Sequence, residues 1–503
     1  MTPGRRRRWI ALLGLAALFL ASRLYGLLAL PMFIDESIYL FWARRIVDDG
    51  RFWRPLADGK SLQVWLLALV VPWAPHPLAW GRAVSVLVGG VGMGAAWALG
   101  RRLRDERAGV IAAALYLICP FALFHDRMVL ADVFLSTAAA LTLLASLDLA
   151  DRPTIRRGLV VGLAMTACVL CKIPGLLVFA TPLLAAALLP RRPGMVKAAA
   201  AAYALAIALS ALPVAYFLLY STQIQEQAIL PDSEIGPVAI VAVNLGTVAG
   251  WLWAYWTPAV CAVGGVTLVM ALVQRRREEI LLGACAVLPL AAFTLLSRSW
   301  FPRYVFFATI PVLVLTALSL SRLVAQLRGL ARTRGGPWIL LPGLLGLAAL
   351  LRPALDFDRL LLTRPGAAPL PDVDRLQYVD GWSAGYGRAD VARALARERA
   401  RSRQGVLVSV SGSTKHDWRP LHLLLRARFM NDPGVEIDVG LLSDQAAREA
   451  FLARAGARPA FVAFASEQGT FPASLGPPLM TGVRADGTVA TALYRLSPGA
   501  APH

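Results

Sequence analysis

Residues 78–100 read LAWGRAVSVLVGGVGMGAAWALG and end directly before the basic run Arg101-Arg102-Leu103-Arg104. As an α-helix, about 20 apolar residues are long enough to cross the ~30 Å hydrocarbon core of a bilayer. Similar apolar runs recur up to residue 352, and most of them end beside Lys or Arg. The pattern predicts a helical, multi-spanning membrane protein rather than a soluble enzyme.

The composition supports this prediction. The 503-residue chain is 57% hydrophobic and 16% charged, whereas soluble domains carry about 25% charged residues. Its net charge of +20 would favour nucleic-acid binding in a soluble protein. Here the basic residues cluster in short loops between apolar runs, where they set topology, so no nucleic-acid partner is expected.

The basic clusters define a topology. Arg5 to Arg8 precede an apolar run over residues 10–30 that is too long for a signal peptide, so it is predicted to be an uncleaved first helix. Eleven crossings then keep every basic cluster in the cytoplasm. The other ten are predicted at residues 78–100, 108–124, 129–149, 158–171, 174–190, 198–220, 241–273, 279–297, 302–322 and 337–352. The stretch 61–75 is too short to cross and is predicted to be interfacial or re-entrant.

The composition changes after Arg352. Helical patterns at 390–402, 421–428 and 443–455 alternate with strand-like runs at 406–410, 435–439, 461–465 and 490–496. The predicted fold class is therefore a membrane all-α multi-spanning bundle of about 11 transmembrane helices over residues 1–352, with a C-terminal extracytoplasmic α/β domain over residues 355–503.

Ionisable residues collect at the predicted outer helix ends, where each costs free energy unless it is paired or used. A carboxylate there can accept a proton from a hydroxyl, and cations can stabilise a departing phosphate. Interfacial salt bridges and snorkelling side chains are the alternative interpretation. The charged residues in question include Asp35, Glu36, Lys60, Arg127, Asp132, Lys172 and Arg303.

The segment FIDESIY (residues 33–39) resembles the Asp-Glu motif of GT-C integral-membrane glycosyltransferases. The branch it resembles is glycosyltransferase family 39, which contains the protein O-mannosyltransferases and the aminoarabinose-transferase-like enzymes. Five further segments resemble motifs of this family in the same order. They are KSL with Trp65 (60–65, lacking the usual two prolines), Arg127 to Asp132, KIPG (172–175), Arg303-Tyr304 with Pro311, and GWSAGYG (381–387).

The resemblance implies an inverting glycosyltransferase that moves a sugar from a polyprenyl-phosphate donor to a hydroxyl of a protein, lipid or glycan. By carry-over, Asp35 is the general base, Glu36 supports it or binds substrate, and Asp132 is a second acidic group. Cations hold the donor phosphate and aromatic side chains bind substrate. The cations are Lys60, Arg127, Lys172 and Arg303, and the aromatic residues are Tyr39, Tyr304 and Trp382.

The resemblance also bears on cofactors and location. A divalent metal is possible, but no Asp-x-Asp lies near Arg127, so no obligatory cofactor is expected and the metal ligands are unknown. The short loops and the lack of a cysteine framework outside the apolar runs favour a bacterial plasma (inner) membrane, with the N-terminus cytoplasmic.

Two other functions remain open from the residues. A polyprenyl-linked saccharide transporter or flippase would need charges through the membrane depth, and almost none lie in the middle of a predicted crossing. An O-antigen ligase-like enzyme would centre its catalysis on a late outer loop. The glycine-rich run over residues 89–94 resembles a phosphate loop, but inside an apolar run it favours close helix packing.

Overall fold

The computed structural model describes residues 3–221, 237–334, 340–440, 445–466, 469–484 and 487–496. Up to residue 363 these ranges are almost entirely helical. The helices are α1 (Pro3–Leu24), α2 (Ile34–Asp49), α3 (Ser61–Ala68), α4 (Pro77–Leu103), α5 (Glu106–Leu117), α6 (Pro120–Asp126), α7 (Ala131–Asp151), α8 (Ile155–Cys171), α9 (Ala180–Leu188), α10 (Met195–Tyr220), α11 (Pro237–Tyr255), α12 (Thr257–Val273), α13 (Arg277–Leu296), α14 (Thr309–Arg334) and α15 (Leu340–Thr363).

Six helices in the described ranges are long and apolar enough to cross a membrane. A seventh results if α5 and α6, which are bent by 64° at their junction, count as one span. The described helices also include shorter apolar ones, at Trp9–Leu24, Ser61–Trp73, Ile173–Leu188 and Thr257–Val273. The multi-spanning helical character is confirmed, and the count of eleven crossings stays a prediction.

The helices in the structure differ from several predicted spans, among them the first one and the one over residues 241–273. The first helix ends at Leu24 rather than at residue 30, and Gly26 follows with a left-handed φ of 55°. The predicted crossing over 241–273 is wrong as a single helix, because the chain breaks between α11 and α12. Thr257 at the break has φ 67° and precedes Pro258, a residue that disfavours helical geometry at the position before it.

The chain divides into two compact units. The first consists of residues 1–26, 53–63 and 82–371, and the second of residues 27–52, 64–81 and 372–503. The predicted boundary between residues 352 and 355 falls inside α15, and the domain limits drawn from the sequence stay a prediction. The second unit includes two parts of the first predicted outer loop, one of which forms the unexpected helix α2.

The second unit contains a five-stranded sheet flanked by helices. Its helices after residue 371 are α16 (Asp372–Arg375), α17 (Arg388–Arg401), α18 (Lys415–Arg428) and α19 (Gln445–Ala455), and its strands are β1 (Val406–Gly412), β2 (Val435–Val439), β3 (Ala460–Ala465), β4 (Met480–Val483) and β5 (Val489–Leu496). The sheet order is β2-β1-β3-β5-β4. Strands β2, β1 and β3 are parallel, and β5 pairs antiparallel with β3 and β4. The predicted α/β character is confirmed.

Side chains alternate between two cores on either side of this sheet, as the period of a β-strand requires. Val406, Val408 and Val410 of β1 pack with Leu421 and Leu425 of α18. On the opposite face, Leu407 of β1 packs with Phe451 of α19. The sequence missed β4, since this strand has four residues and lies at the edge of the sheet, where little apolar patterning is needed.

The GWSAGYG segment connects α16 to α17 and owes its glycines to close backbone contacts. Gly385 has φ 84°, and a Cβ atom there would lie 2.3 Å from the carbonyl oxygen of Met32. Gly387 has φ 75°, and its Cβ would lie 2.9 Å from the backbone of Gly482. Two of the motif's glycines therefore pack segment 381–387 against residue 32 on one side and β4 on the other.

We expect Gly385→Ala to destabilise the second unit for two reasons. An alanine is strained in the left-handed backbone conformation of this position, and its Cβ atom would clash with the backbone at Met32. The expected loss is more than about 1 kcal/mol, measured as a lower midpoint of thermal unfolding of the purified protein. Gly440→Ala is the matched control, since a Cβ atom at Gly440 meets nothing within 4 Å. Equal midpoints for the two variants would contradict this account of the motif.

Candidate active site

A buried ion pair joins the start of one long helix to the end of another. Asp132 lies in the first turn of α7, where the helix dipole favours a carboxylate. Lys172 directly follows α8, and its own backbone N–H donates to the carbonyl of Cys168 at 3.1 Å. The Lys172 Nζ atom donates to Oδ1 of Asp132 at 2.7 Å, with both side chains almost wholly buried.

The corner after Lys172 explains how its side chain is placed. The backbone N–H of Gly175 donates to the carbonyl of Lys172 at 2.8 Å, and a short 3₁₀ helix over Ile173–Phe179 follows. A Cβ atom at Gly175 would lie 2.3 Å from the carbonyl oxygen of Cys168. The Lys-x-Pro-Gly segment is therefore a tight turn folded back onto the last turn of α8.

A second cation and a tyrosine complete the surroundings of this pair. The 3₁₀ helix Pro302–Ala308 carries Arg303 and Tyr304, both buried. Lys172 Nζ lies 3.8 Å from the centroid of the Tyr304 ring, which is cation–π geometry. The Arg303 guanidinium carbon lies 5.7 Å from the same centroid. Arg303 and Lys60 also act electrostatically on Lys172.

This group, which we call the cation cluster, comprises Lys60, Asp132, Lys172, Arg303 and Tyr304. It brings together side chains that are separated by up to 244 positions in the sequence (304 − 60). The cluster contains three cationic side chains and one carboxylate. Such a group can stabilise an anion of two negative charges in surroundings where water is scarce.

His125 lies beside the cation cluster and was outside the predicted set of site residues. It is fully buried, and its Nδ1 lies 3.1 Å from the carbonyl oxygen of Phe121. Its ring stacks on Phe306, with the centroids 5.3 Å apart. Asp132 and Arg303 act on it electrostatically. Because Phe306 belongs to the 3₁₀ helix that carries Arg303, His125 supports the segment that positions this cation.

The structure gives Arg127 a structural contact rather than a place in the cation cluster. Its guanidinium donates to the carbonyls of Tyr25 and Gly26 at 2.8 and 2.6 Å. These two carbonyls belong to the residues directly after α1, which have no helical partners of their own. The assignment of Arg127 to the donor phosphate stays a prediction, and its described hydrogen bonds stabilise the end of α1.

The neighbouring Asp126 belongs to a separate buried network. Arg23 donates to Asp126 Oδ2 at 3.2 Å, and the hydroxyl of Tyr116 donates to Oδ1 at 2.9 Å. A Cβ atom at Gly89 would lie 2.5 Å from the Asp126 carboxylate. The glycine at position 89 thus makes room for this carboxylate between helices, which confirms close packing rather than a phosphate loop.

The predicted acids after the first helix lie in the second unit, in the first turn of α2. Glu36 is fully buried, and its Oε2 accepts the backbone N–H of Phe33 at 2.9 Å, so it caps the helix. Asp35 is half-buried. The predicted meeting of Asp35 with Lys172 and Arg303 in one cleft stays a prediction.

The two aromatic residues of the predicted set in this unit differ in exposure. Tyr39 is buried in α2, with its ring centroid 6.0 Å from that of Trp42. Trp382 is 39% exposed, on a single 3₁₀ turn. Tyr39 is therefore part of the packing of α2, while Trp382 is accessible to solvent. Among the described residues, no group of three or more His, Cys, Asp or Glu is arranged to hold a metal.

Comparison with known proteins agrees with the resemblance drawn from the motifs. Residues 58–217 match the family described as "Dolichyl-phosphate-mannose-protein mannosyltransferase". No curated protein matches the sequence. Two solved structures are similar to the chain over nearly its whole length.

The first is ArnT from Cupriavidus metallidurans bound to undecaprenyl phosphate, at 15% identity and a TM-score of 0.54, over 100% of this chain and 99% of that one. The second is the oligosaccharyltransferase AglB from Archaeoglobus fulgidus, in complex with an inhibitory peptide and a dolichol-phosphate. It is 12% identical with a TM-score of 0.58, over 92% of this chain and 70% of that one. The chain thus has the fold of the GT-C integral-membrane glycosyltransferases, and the resemblance stated from its motifs is confirmed.

We expect Asp132→Asn to destabilise the first unit strongly, because it leaves the Lys172 charge buried without its carboxylate. Removing one partner of a buried pair costs about 3–5 kcal/mol, which thermal unfolding in detergent would show. The double variant Asp132→Asn, Lys172→Met removes both charges and should lose less. Asp58→Asn, which breaks the surface pair with Arg54, is the control and should change the midpoint little. A double variant no more stable than Asp132→Asn would contradict this pairing.

Proposed function

We propose that this protein is an inverting glycosyltransferase that moves a sugar from a polyprenyl-phosphate donor to a hydroxyl acceptor at the outer face of the membrane. The observation that carries the proposal is the cation cluster, buried at helix ends in a GT-C fold. Two solved proteins of this fold hold polyprenyl phosphates, undecaprenyl phosphate in ArnT and dolichol-phosphate in AglB.

The cation cluster supports a role in holding the donor phosphate. Arg303 offers a planar guanidinium with several donors, and Lys172 and Lys60 offer ammonium groups. Asp132 takes one of the Lys172 hydrogen bonds, which fixes the direction of this side chain while leaving donors for a ligand. In this proposal Asp132 acts through Lys172, as a positioning residue rather than as a proton acceptor.

The proposed chemistry is a single displacement at the anomeric carbon of the sugar. The acceptor oxygen forms a bond to this carbon, the bond to the phosphate oxygen breaks, and the configuration inverts. Asp35 takes the proton of the acceptor hydroxyl, and polyprenyl phosphate leaves with the bonding electron pair. The cations of the cluster stabilise the charge that develops on the leaving phosphate.

Glu36 supports this arrangement from the helix terminus. Because its carboxylate accepts the N–H of Phe33, it fixes where α2 begins and so where Asp35 stands in the first turn. Half-burial leaves part of the Asp35 side chain accessible to an acceptor. The proposed location is the plasma membrane of a bacterium, and the acceptor is a protein, lipid or glycan hydroxyl.

Asp35→Asn should abolish sugar transfer, because an amide does not accept the acceptor's proton. General acid–base catalysis typically contributes about 10²–10⁴-fold in rate. The assay is release of undecaprenyl phosphate from an undecaprenyl-phosphate sugar by the full-length protein in detergent. Asp48→Asn is the matched control, since Asp48 lies on the same helix α2 in an exposed pair with Arg44. Normal turnover by the Asp35 variant would refute the assigned base.

Arg303→Gln should weaken binding of undecaprenyl phosphate about tenfold, because one charge-assisted contact to the phosphate is lost. Native mass spectrometry of the purified protein with added undecaprenyl phosphate measures this change. The control is Arg298→Gln, an exposed arginine five positions earlier in the chain. If both variants bind undecaprenyl phosphate as tightly as the unmodified protein, the cation cluster is not the phosphate site.

A further inference from the structure

The second unit contains an open cavity of about 540 Å³ to which the motifs assign no function. One wall is the segment of residues 28–32, which follows α1 in the chain after a few residues. A second wall is formed by residues 76–79, and the third by the GYG end of the 381–387 segment with α17 and α18. A volume of this size is within the usual range for ligand pockets, roughly 300–1,000 Å³.

The body of the cavity is apolar and owes its space to small side chains. Leu28, Leu30 and Leu78 contribute hydrocarbon surface. Helix α17 presents Ala392 and helix α18 presents Ala427, both buried side chains at which a larger residue would fill the space. An apolar wall of this kind suits a hydrocarbon chain better than a saccharide, whose hydroxyls need hydrogen-bonding partners.

The same two helices carry arginines at the cavity. In each helix the residue directly after the alanine is an arginine, Arg393 in α17 and Arg428 in α18, and both are exposed. Arg393 is paired with Asp390, which belongs to the lining as well. In the part of the chain that the structure describes, Arg428 has no ion pair. Arg388 belongs to the lining as well.

We propose that this cavity binds one anionic phospholipid of the bilayer, with an acyl chain against the apolar walls and the phosphate at Arg393 and Arg428. The combination of a hydrocarbon-lined interior and an arginine-bearing edge is complementary to an amphiphile with a negative head. The phenol of Tyr386, half-buried in the same lining, supplies a further hydrogen-bond donor. The lipid bound here is not a reactant of the proposed sugar transfer.

The test is binding of dioleoylphosphatidylglycerol and dioleoylphosphatidylcholine to the delipidated full-length protein in detergent, measured by native mass spectrometry. We expect one phosphatidylglycerol to be retained in preference to phosphatidylcholine. Arg428→Gln should weaken this binding about tenfold, because it removes one charge-assisted contact. Ala427→Leu should weaken it by filling the cavity while all charges stay. Arg419→Gln removes the same charge from an exposed position of α18 outside the cavity and should bind as the unmodified protein does.

Each other outcome would overturn the proposal. Equal binding of the two lipids would show that the site does not select an anionic head group. Unchanged lipid binding in both Arg428→Gln and Ala427→Leu would show that the lipid does not bind in this cavity. Because Ala427 is fully buried, the lipid binding of Ala427→Leu is interpreted only if this variant keeps the thermal unfolding midpoint of the unmodified protein. If it does not, the result for Arg428→Gln alone decides the test. The proposed sugar transfer is measured by a different assay, the release of undecaprenyl phosphate by the unmodified protein. The lipid-binding proposal can therefore fail without contradicting the proposed function.

Discussion

A buried ammonium and a buried carboxylate place a strong constraint on the first unit. Taking either charge out of water costs several kcal/mol, and only a close partner of opposite sign offsets this cost. Asp132 and Lys172 meet this condition at 2.7 Å, and thereby tie the start of α7 to the end of α8. The Tyr304 ring over the ammonium extends the tie to the segment 302–308. Three parts of the chain are thus held together by one charged contact.

The same contact explains how the unit can hold an anion. Asp132 pairs with Lys172, and Lys60 and Arg303 act electrostatically on the same ammonium group. Cationic groups brought this close together repel one another, and an anion bound among them offsets that repulsion. Arg23 is paired with Asp126, whereas Arg127 donates to two backbone carbonyls directly after α1. Arginines and lysines at similar positions in the sequence pattern therefore have different partners in the structure.

The second unit combines the C-terminal sheet region with two segments from much earlier in the chain. Asn431 donates to the carbonyl of Ala74, and Arg44 of α2 donates to both Asn431 and the carbonyl of Pro72. The Gly385 contact with Met32 adds a backbone approach that no other residue type permits without a clash. Residues 27–52 and 64–81 consequently belong to this unit. Local composition gave no sign of this, because these contacts join positions more than 300 residues apart.

Hydrophobic runs, basic clusters and alternating patterns in the sequence were enough to determine the helical membrane class and the C-terminal α/β elements, since these depend on local periodicity and transfer free energy. Short motifs were enough to select Asp132, Lys172, Arg303 and Tyr304. The tertiary structure alone decided that these four side chains meet, that Arg127 and Glu36 bind backbone groups, and that His125 supports the site. It alone produced the cavity between α17, α18 and residues 28–32. Such features depend on distances between residues far apart in the chain, which packing sets and composition does not encode.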